Sequence, residues 1–188
     1  MKAIDIRFAG CFITIFESKK LPMAAKNLIL SKEVAEKKMQ RIALEIAGQL
    51  YGETEPLIIV GITGSGMVIA KKLFLLLESL LEIPVQIISC QLNKRHPGKI
   101  TYSEAIDFNN KNVLLVDDVT NSGRTLLYAL KPLLEFYPKR IQTMSLVERM
   151  HKNFPIKIDY IGLSIATTLQ DHIQVEVEGE ELLGAYIL

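Results

Sequence analysis

Four apolar runs of strand length recur along the chain: LIIVGI (57–62), PVQIISCQ (84–91), VLLVDD (113–118) and IQTMSLV (141–147). Short runs like these suit strands buried on both faces, and the segments between the first three carry helical spacing or turn residues. Ser31 stands where it can cap a helix whose apolar positions are Ala35, Met39, Ile42, Ile46 and Leu50. A second helix is expected from about Gly66 to Glu82. A third, GRTLLYALKPLLEF, should be kinked or split at Pro132, which lacks an N–H and clashes with the preceding turn. IDYIGL and IQVEV supply later strands. Alternation of this kind argues for an α/β fold, a mostly parallel twisted sheet with helices on both faces. Ligands of such sheets bind beyond the carboxyl ends of the strands, where the loops after Ile62 and Asp118 lie.

The second of these loops carries the chemistry. Val113 to Thr125 reads VLLVDDVTNSGRT, an apolar strand, two adjacent carboxylates and a polar turn before a helix. The hydroxyls of Thr120, Ser122 and Thr125, the amide of Asn121 and the freedom of Gly123 suit a cradle for a phosphate monoester, with backbone N–H groups as the main donors. Asp117 and Asp118 would repel a phosphate they faced. A short distance away they can accept hydrogen bonds from sugar hydroxyls. A phosphate next to a vicinal diol is a ribose 5-phosphate.

Composition bounds the alternatives. The chain has 188 residues, enough for one domain with a sizeable core, and 49% of them are apolar. With 22 basic and 21 acidic residues the net charge is +1, which advertises no broad field for nucleic acid or membrane. Cys11 and Cys90 form neither a disulfide framework nor a zinc pattern, which fits a cytoplasmic protein with reduced thiols. The greasiest run, KKLFLLLESLLEI, carries Glu78 and Glu82 and is not a membrane span. Its leucines cover more than one helical face, and the surplus suggests a homodimer or higher homo-oligomer. His151 and His172 read as surface or turn residues, and no ligand spacing links them to His96. Residues 1–22 read as an N-terminal arm or a misassigned start, since MAAKNLIL from Met23 is a plausible beginning.

The string from Val113 to Thr125 resembles the PRPP-binding motif of the type I phosphoribosyltransferases. The likeness extends over nearly all of residues 24–188. KNLILSKEVAEKKMQRIALEI, LIIVGITGSGMVIAKKL and FPIKIDYIGLSIATT look like segments of the bifunctional pyrimidine-operon attenuator/uracil phosphoribosyltransferase family. The resemblance implies a phosphoribosyltransferase domain over 23–188, with a small hood from 24–30 and 155–188 and a flexible loop at 93–112. It implies transfer of the phosphoribosyl group of PRPP to a nucleobase, uracil before others, with release of pyrophosphate. Asp117 and Asp118 become the catalytic pair, holding the ribose hydroxyls and placing negative charge near a sugar with oxocarbenium character. Thr120, Asn121, Ser122, Gly123, Arg124 and Thr125 become the 5-phosphate site, with Arg124 equally able to lie on the helix surface. Thr63, Gly64 and Ser65, with Lys94 and Arg95 from the long loop, become the pyrophosphate site. Tyr160 would stack on the base and the Ile161 backbone would read its edge. Mg²⁺ is the implied cofactor, held by substrate and water with no direct protein ligand.

The chain departs from that pattern in one place. The attenuator-type loop carries a basic residue and an arginine immediately before its last glycine; here Thr63 and Ser65 stand there. Either Lys94 and Arg95 compensate, or turnover is weak, or the leaving group differs. A catalytically weak PRPP- or nucleotide-sensing protein is therefore the alternative reading. RNA binding, which the attenuator branch implies, is not favoured: Arg41 matches an arginine of that pattern, but Gln40 and Leu44 do not carry the residue types expected beside it. Read without the family, GITGSG hints at a dinucleotide fingerprint, but Ile69 occupies the place of its third glycine. No GK[ST] follows, which excludes a Walker loop.

Overall fold

The computed structural model describes residues 26–93, 98–167 and 171–188, together with the backbone of 4–8 and 11–15. Strands β1 (Ile4–Phe8) and β2 (Cys11–Ile15) form an antiparallel pair of their own. Next come β3 (Asn27–Ser31) and α1 (Lys32–Gln49). The Ser31 hydroxyl caps α1, accepting the Val34 N–H at 3.4 Å, and Ala35, Met39, Ile42 and Ile46 bury the expected face.

The centre of the molecule is a sheet in the order β6-β5-β4-β7-β8-β9. Its strands are β4 (Leu57–Ile62), β5 (Val85–Gln91), β6 (Thr101–Tyr102), β7 (Asn112–Thr120), β8 (Arg140–Arg149) and β9 (Tyr160–Ile165). All pair in parallel except β6, which runs antiparallel to β5. The period of two divides each strand between two cores. Ile59, Leu114 and Val116 pack on one face with α1 and with α2 (Ser65–Leu80). Ile58, Val60, Val113 and Leu115 pack on the other with α3 (Arg124–Leu130) and Phe108. Helices thus cover both faces, as the uninterrupted apolar strands require.

α3 stops at Leu130, and a 3₁₀ turn spans Lys131–Glu135, so Pro132 splits the helix. Residues 98–112, the described part of the long connection after Asn93, carry a short strand and a core aromatic. Within them β6 pairs with β5, and Phe108 is fully buried, edge-on to Tyr102 at 5.4 Å and to Phe136 at 5.3 Å.

A second, three-stranded antiparallel sheet has the order β10-β11-β3, with β10 at Ile173–Glu178 and β11 at Glu181–Ile187. It joins the two stretches assigned to the hood. Residues 160–165 of that assignment belong instead to the central sheet, because β9 pairs with β8. Ion pairs from Lys32 to Glu181 (2.5 Å) and from Lys71 to Glu180 (2.6 Å) tie the β10–β11 turn to α1 and α2. Both are solvent-exposed and steer the contact more than they stabilise it. Among the described residues no helix is long and apolar enough to cross a membrane.

Candidate functional site

β7 runs two residues beyond the acidic pair, because Val119 and Thr120 still pair with Val147 and Glu148 of β8. The Ser145 hydroxyl accepts the Thr120 N–H at 3.1 Å. Asp117 and Asp118 therefore sit inside a strand held by β8, just past Val116, the last residue paired with β4. Asp117 is 1% exposed, and one of its carboxylate oxygens accepts the Asp118 N–H at 3.0 Å. Beneath it, burial pushes the Cys90 thiol up to about 12, with the Asp117 carboxylate adding to the shift.

The turn after β7 is held from the outside. The Ser122 carbonyl accepts N–H groups from Asn153 (3.1 Å) and Phe154 (3.0 Å), and the Ser122 hydroxyl accepts the Arg124 N–H at 3.3 Å. Gly123 has φ +82°, and a Cβ there would meet Ile156 Cγ2 at 2.7 Å, so conformation and space both demand glycine. The helix of α2 approaches as closely on the other side: a Cβ on Gly66 would lie 3.1 Å from an Asp117 carboxylate oxygen.

These elements enclose a cavity of about 390 Å³. Its floor is Asp117, Asp118 and Thr120; Asn121, Ser122, Gly123 and Thr125 form one wall, and Ser65 at the start of α2 forms another. Opposite them stand His172, Ile173, Gln174 and Val175 of the second sheet. The Thr120 hydroxyl and the Asn121 amide oxygen are buried without a hydrogen-bond partner among the described residues. Unpaired buried polar atoms cost free energy, and both residues that carry them belong to the cavity lining.

The structure thus brings together Asp117, Asp118, Thr120, Asn121, Ser122, Gly123, Thr125 and Ser65. Arg124 stands apart. Its guanidinium lies 5.1 Å from the Phe154 ring centre, outside the cavity lining. Thr63 and Gly64 are not in the lining either; the Thr63 N–H is spent on the Cys90 carbonyl at 3.0 Å, and Gly64 turns the chain into α2 with φ +94°. Lys94 and Arg95 lie outside the described residues. The lining contains no lysine or arginine among the described residues.

The assignment of base contacts to Tyr160 and Ile161 needs correction, since neither lines the cavity. Both belong to β9, whose residues the two cores claim in turn. The Tyr160 ring is buried in the core with α1, and its hydroxyl donates to Gln49 Oε1 at 2.8 Å. The Ile161 carbonyl accepts from Arg41 at 2.5 Å, and its side chain joins the opposite core. The missed residues are His172 to Val175, one connection further on. His172 and Leu188 exchange backbone hydrogen bonds (3.3 and 2.9 Å). By antiparallel alternation, Ile173 and Val175 turn their N–H and C=O groups off the other edge of β10, an edge strand. The only sequence signal was the half-polar run IQVEV, which reads as an exposed strand and not as a site.

Comparison with known proteins bears on the family and the fold. The phosphoribosyl transferase domain model matches residues 29–182. The bifunctional protein PyrR of Limosilactobacillus reuteri is 36% identical over 162 residues, covering 80% of this chain and 90% of that protein. PyrR of Clostridium novyi is 28% identical, covering 87% and 99%. The hypoxanthine phosphoribosyltransferase of Trypanosoma cruzi superposes with a TM-score of 0.72 at 15% identity, covering 87% of this chain and 98% of that one. A hypoxanthine-guanine phosphoribosyltransferase of Bacillus anthracis gives 0.67 at 18% identity, covering 85% and 97%. At such identities the structural likeness shows the fold.

Proposed function

Because the chain belongs to the type I phosphoribosyltransferase family, with bifunctional PyrR proteins among its relatives, we propose that it binds PRPP and transfers the 5-phosphoribosyl group to a nucleobase. The bond from C1 to pyrophosphate breaks as a ring nitrogen bonds to C1, and the nitrogen's proton passes to solvent. The observation that carries this reading is the placement of Asp117 and Asp118 between a buried, unsatisfied Thr120–Asn121 pair and the edge of β10. The turn from Thr120 to Thr125 grips the 5-phosphate through main-chain N–H groups. The two carboxylates hold the ribose hydroxyls and favour positive charge at C1. The start of α2 at Ser65 offers its hydroxyl and the positive end of the helix dipole to pyrophosphate in place of side-chain cations.

The heterocycle lies between His172 and the outer edge of Ile173. One N–H and one C=O side by side complement a lactam edge, C=O beside N–H. Uracil and the 6-oxopurines carry that edge. Resemblance to the attenuator-type proteins favours uracil. Magnesium, when bound, neutralises the pyrophosphate leaving group. Among the described residues no three His, Cys, Asp or Glu side chains converge to cage a metal. The Asp117 and Asp118 carboxylates are hard oxygen donors of the type magnesium accepts beside phosphate and water. A cytoplasmic homodimer completes the reading: Leu44 and Leu75, 61% and 65% exposed on α1 and α2, leave apolar surface for a second copy.

The lack of lysine or arginine in the described lining favours a second reading, a PRPP or nucleotide sensor with weak turnover. RNA binding gains nothing from Arg41, whose guanidinium is already engaged by Glu45 and the Ile161 carbonyl. Incubation with PRPP, Mg²⁺ and each base in turn, with released pyrophosphate and nucleotide measured, separates these readings. Product with uracil is expected. PRPP binding without product from any base would replace the transferase with the sensor.

A further inference from the structure

The edge that faces the heterocycle is anchored at its start by one side chain from the other sheet. Arg149 is the last residue of β8, where it pairs with Ile165 of β9. From there its guanidinium donates a short hydrogen bond to the main-chain carbonyl of Asp171. Asp171 immediately precedes His172 and Ile173, which line the cavity. On the far side the same segment is clipped to Leu188 by the paired main-chain bonds at His172. The approach to β10 is thus fixed at two points, Leu188 from its own sheet and Arg149 from the sheet that carries Asp117 and Asp118.

We propose that Arg149 is a positioning residue, which sets the height of the Ile173 main-chain edge above the acidic pair by holding the Asp171 carbonyl. This rests on the phosphoribosyl-transfer reading. An arginine suits the task because a charged donor makes a stronger bond to a carbonyl than a neutral one. It is also permanently ionised, so the tether does not loosen with pH. Arg149 does not line the cavity, and its guanidinium bonds the Asp171 carbonyl, so its removal should act first on the heterocycle end.

The test is steady-state kinetics of Arg149→Met and Arg149→Lys beside the unaltered protein. Losing a charge-assisted bond should raise KM for the base roughly tenfold. KM for PRPP should stay within about twofold, since the PRPP contacts are untouched. Arg149→Lys, which keeps a charged donor, should recover part of the loss. If Arg149→Met does not fold, Arg149→Gln, shorter and polar, takes its place. A parallel measurement needs no turnover: amide hydrogen exchange of His172 to Val175 should quicken in the variant while that of Val113 to Val116 does not. Equal rises in both KM values, or unchanged exchange at His172 to Val175, would overturn the proposal. If no base is turned over by the unaltered protein, the transferase reading fails on its own, and the exchange data still judge the tether.

Discussion

The two ends of the cavity are built on opposite plans. The end proposed for the phosphate is one continuous stretch, Asp117 to Thr125, that runs through a strand, a turn and a helix start. The heterocycle end is assembled from parts far apart in the chain: the edge of β10, the carbonyl of Asp171, the guanidinium of Arg149 and the terminal Leu188. Main-chain groups serve both ends of the proposed site, but only the first is accompanied by a local string of carboxylates, hydroxyls and a turn glycine. A motif can be read only where such a string marks the chemistry, which is why one end was visible in advance and the other was not.

The sharpest break of this contrast is at Gly123. Gly123→Val forces a β-branched residue to φ +82° and drives a Cβ into Ile156. We expect a loss of about 3 kcal/mol in urea unfolding, the sum of backbone strain and overpacking, together with loss of 5-phosphate affinity. If Gly123→Val keeps both, the turn is not the rigid cradle described. Next in size is Ile173→Pro. It removes one N–H from an edge strand, where proline is tolerated, and also a buried side chain, so circular dichroism first verifies that the variant folds. KM for the base should rise about tenfold with little change for PRPP. An unchanged KM would mean that the Ile173 edge does not read the heterocycle. Tyr160→Phe sharpens the same point by contrast. Removing the hydroxyl that donates to Gln49 should cost about 1 kcal/mol of stability and leave base affinity alone. A selective loss of base affinity would return Tyr160 to the site.

The smallest effect vanishes at neutral pH. Cys90 holds its proton up to about 12 when folded, above its ordinary value. Between those values the folded state binds more protons than the unfolded state, so stability falls as pH rises. Cys90→Ala should flatten the alkaline limb of a stability–pH curve and leave its neutral plateau in shape. Tyr102 and Tyr160, whose hydroxyls are also raised chiefly by burial, add to the same limb. An alkaline limb of unaltered slope would remove Cys90 from this account.

The legible parts of the fold share a physical cause: the signal and the structure are local. Ser31 caps α1 with its own hydroxyl, and Pro132 ends α3 with its own ring. The apolar strands announce burial on both faces because nothing else tolerates such runs. Where the prediction missed, a partner decided the outcome. β7 outran its acidic pair because β8 offered Ser145 and Glu148 to pair with. Tyr160, an aromatic expected on the base, went to the core because α1 presented Gln49 to its hydroxyl. Of the two places open to Arg124, its guanidinium took the one against Phe154, and His172, read as a surface or turn residue, became cavity lining. None of these partners stands near its residue in the sequence except by chance of topology.

The whole account stands on the pair of carboxylates that links the two ends. Titration calorimetry of PRPP and Mg²⁺ into the Asp117→Ala/Asp118→Ala protein tests it most directly, with circular dichroism to verify folding. We expect affinity to fall at least about a hundredfold, two charge-assisted contacts being lost. A folded double variant that binds PRPP as tightly as the unaltered chain would contradict the site itself.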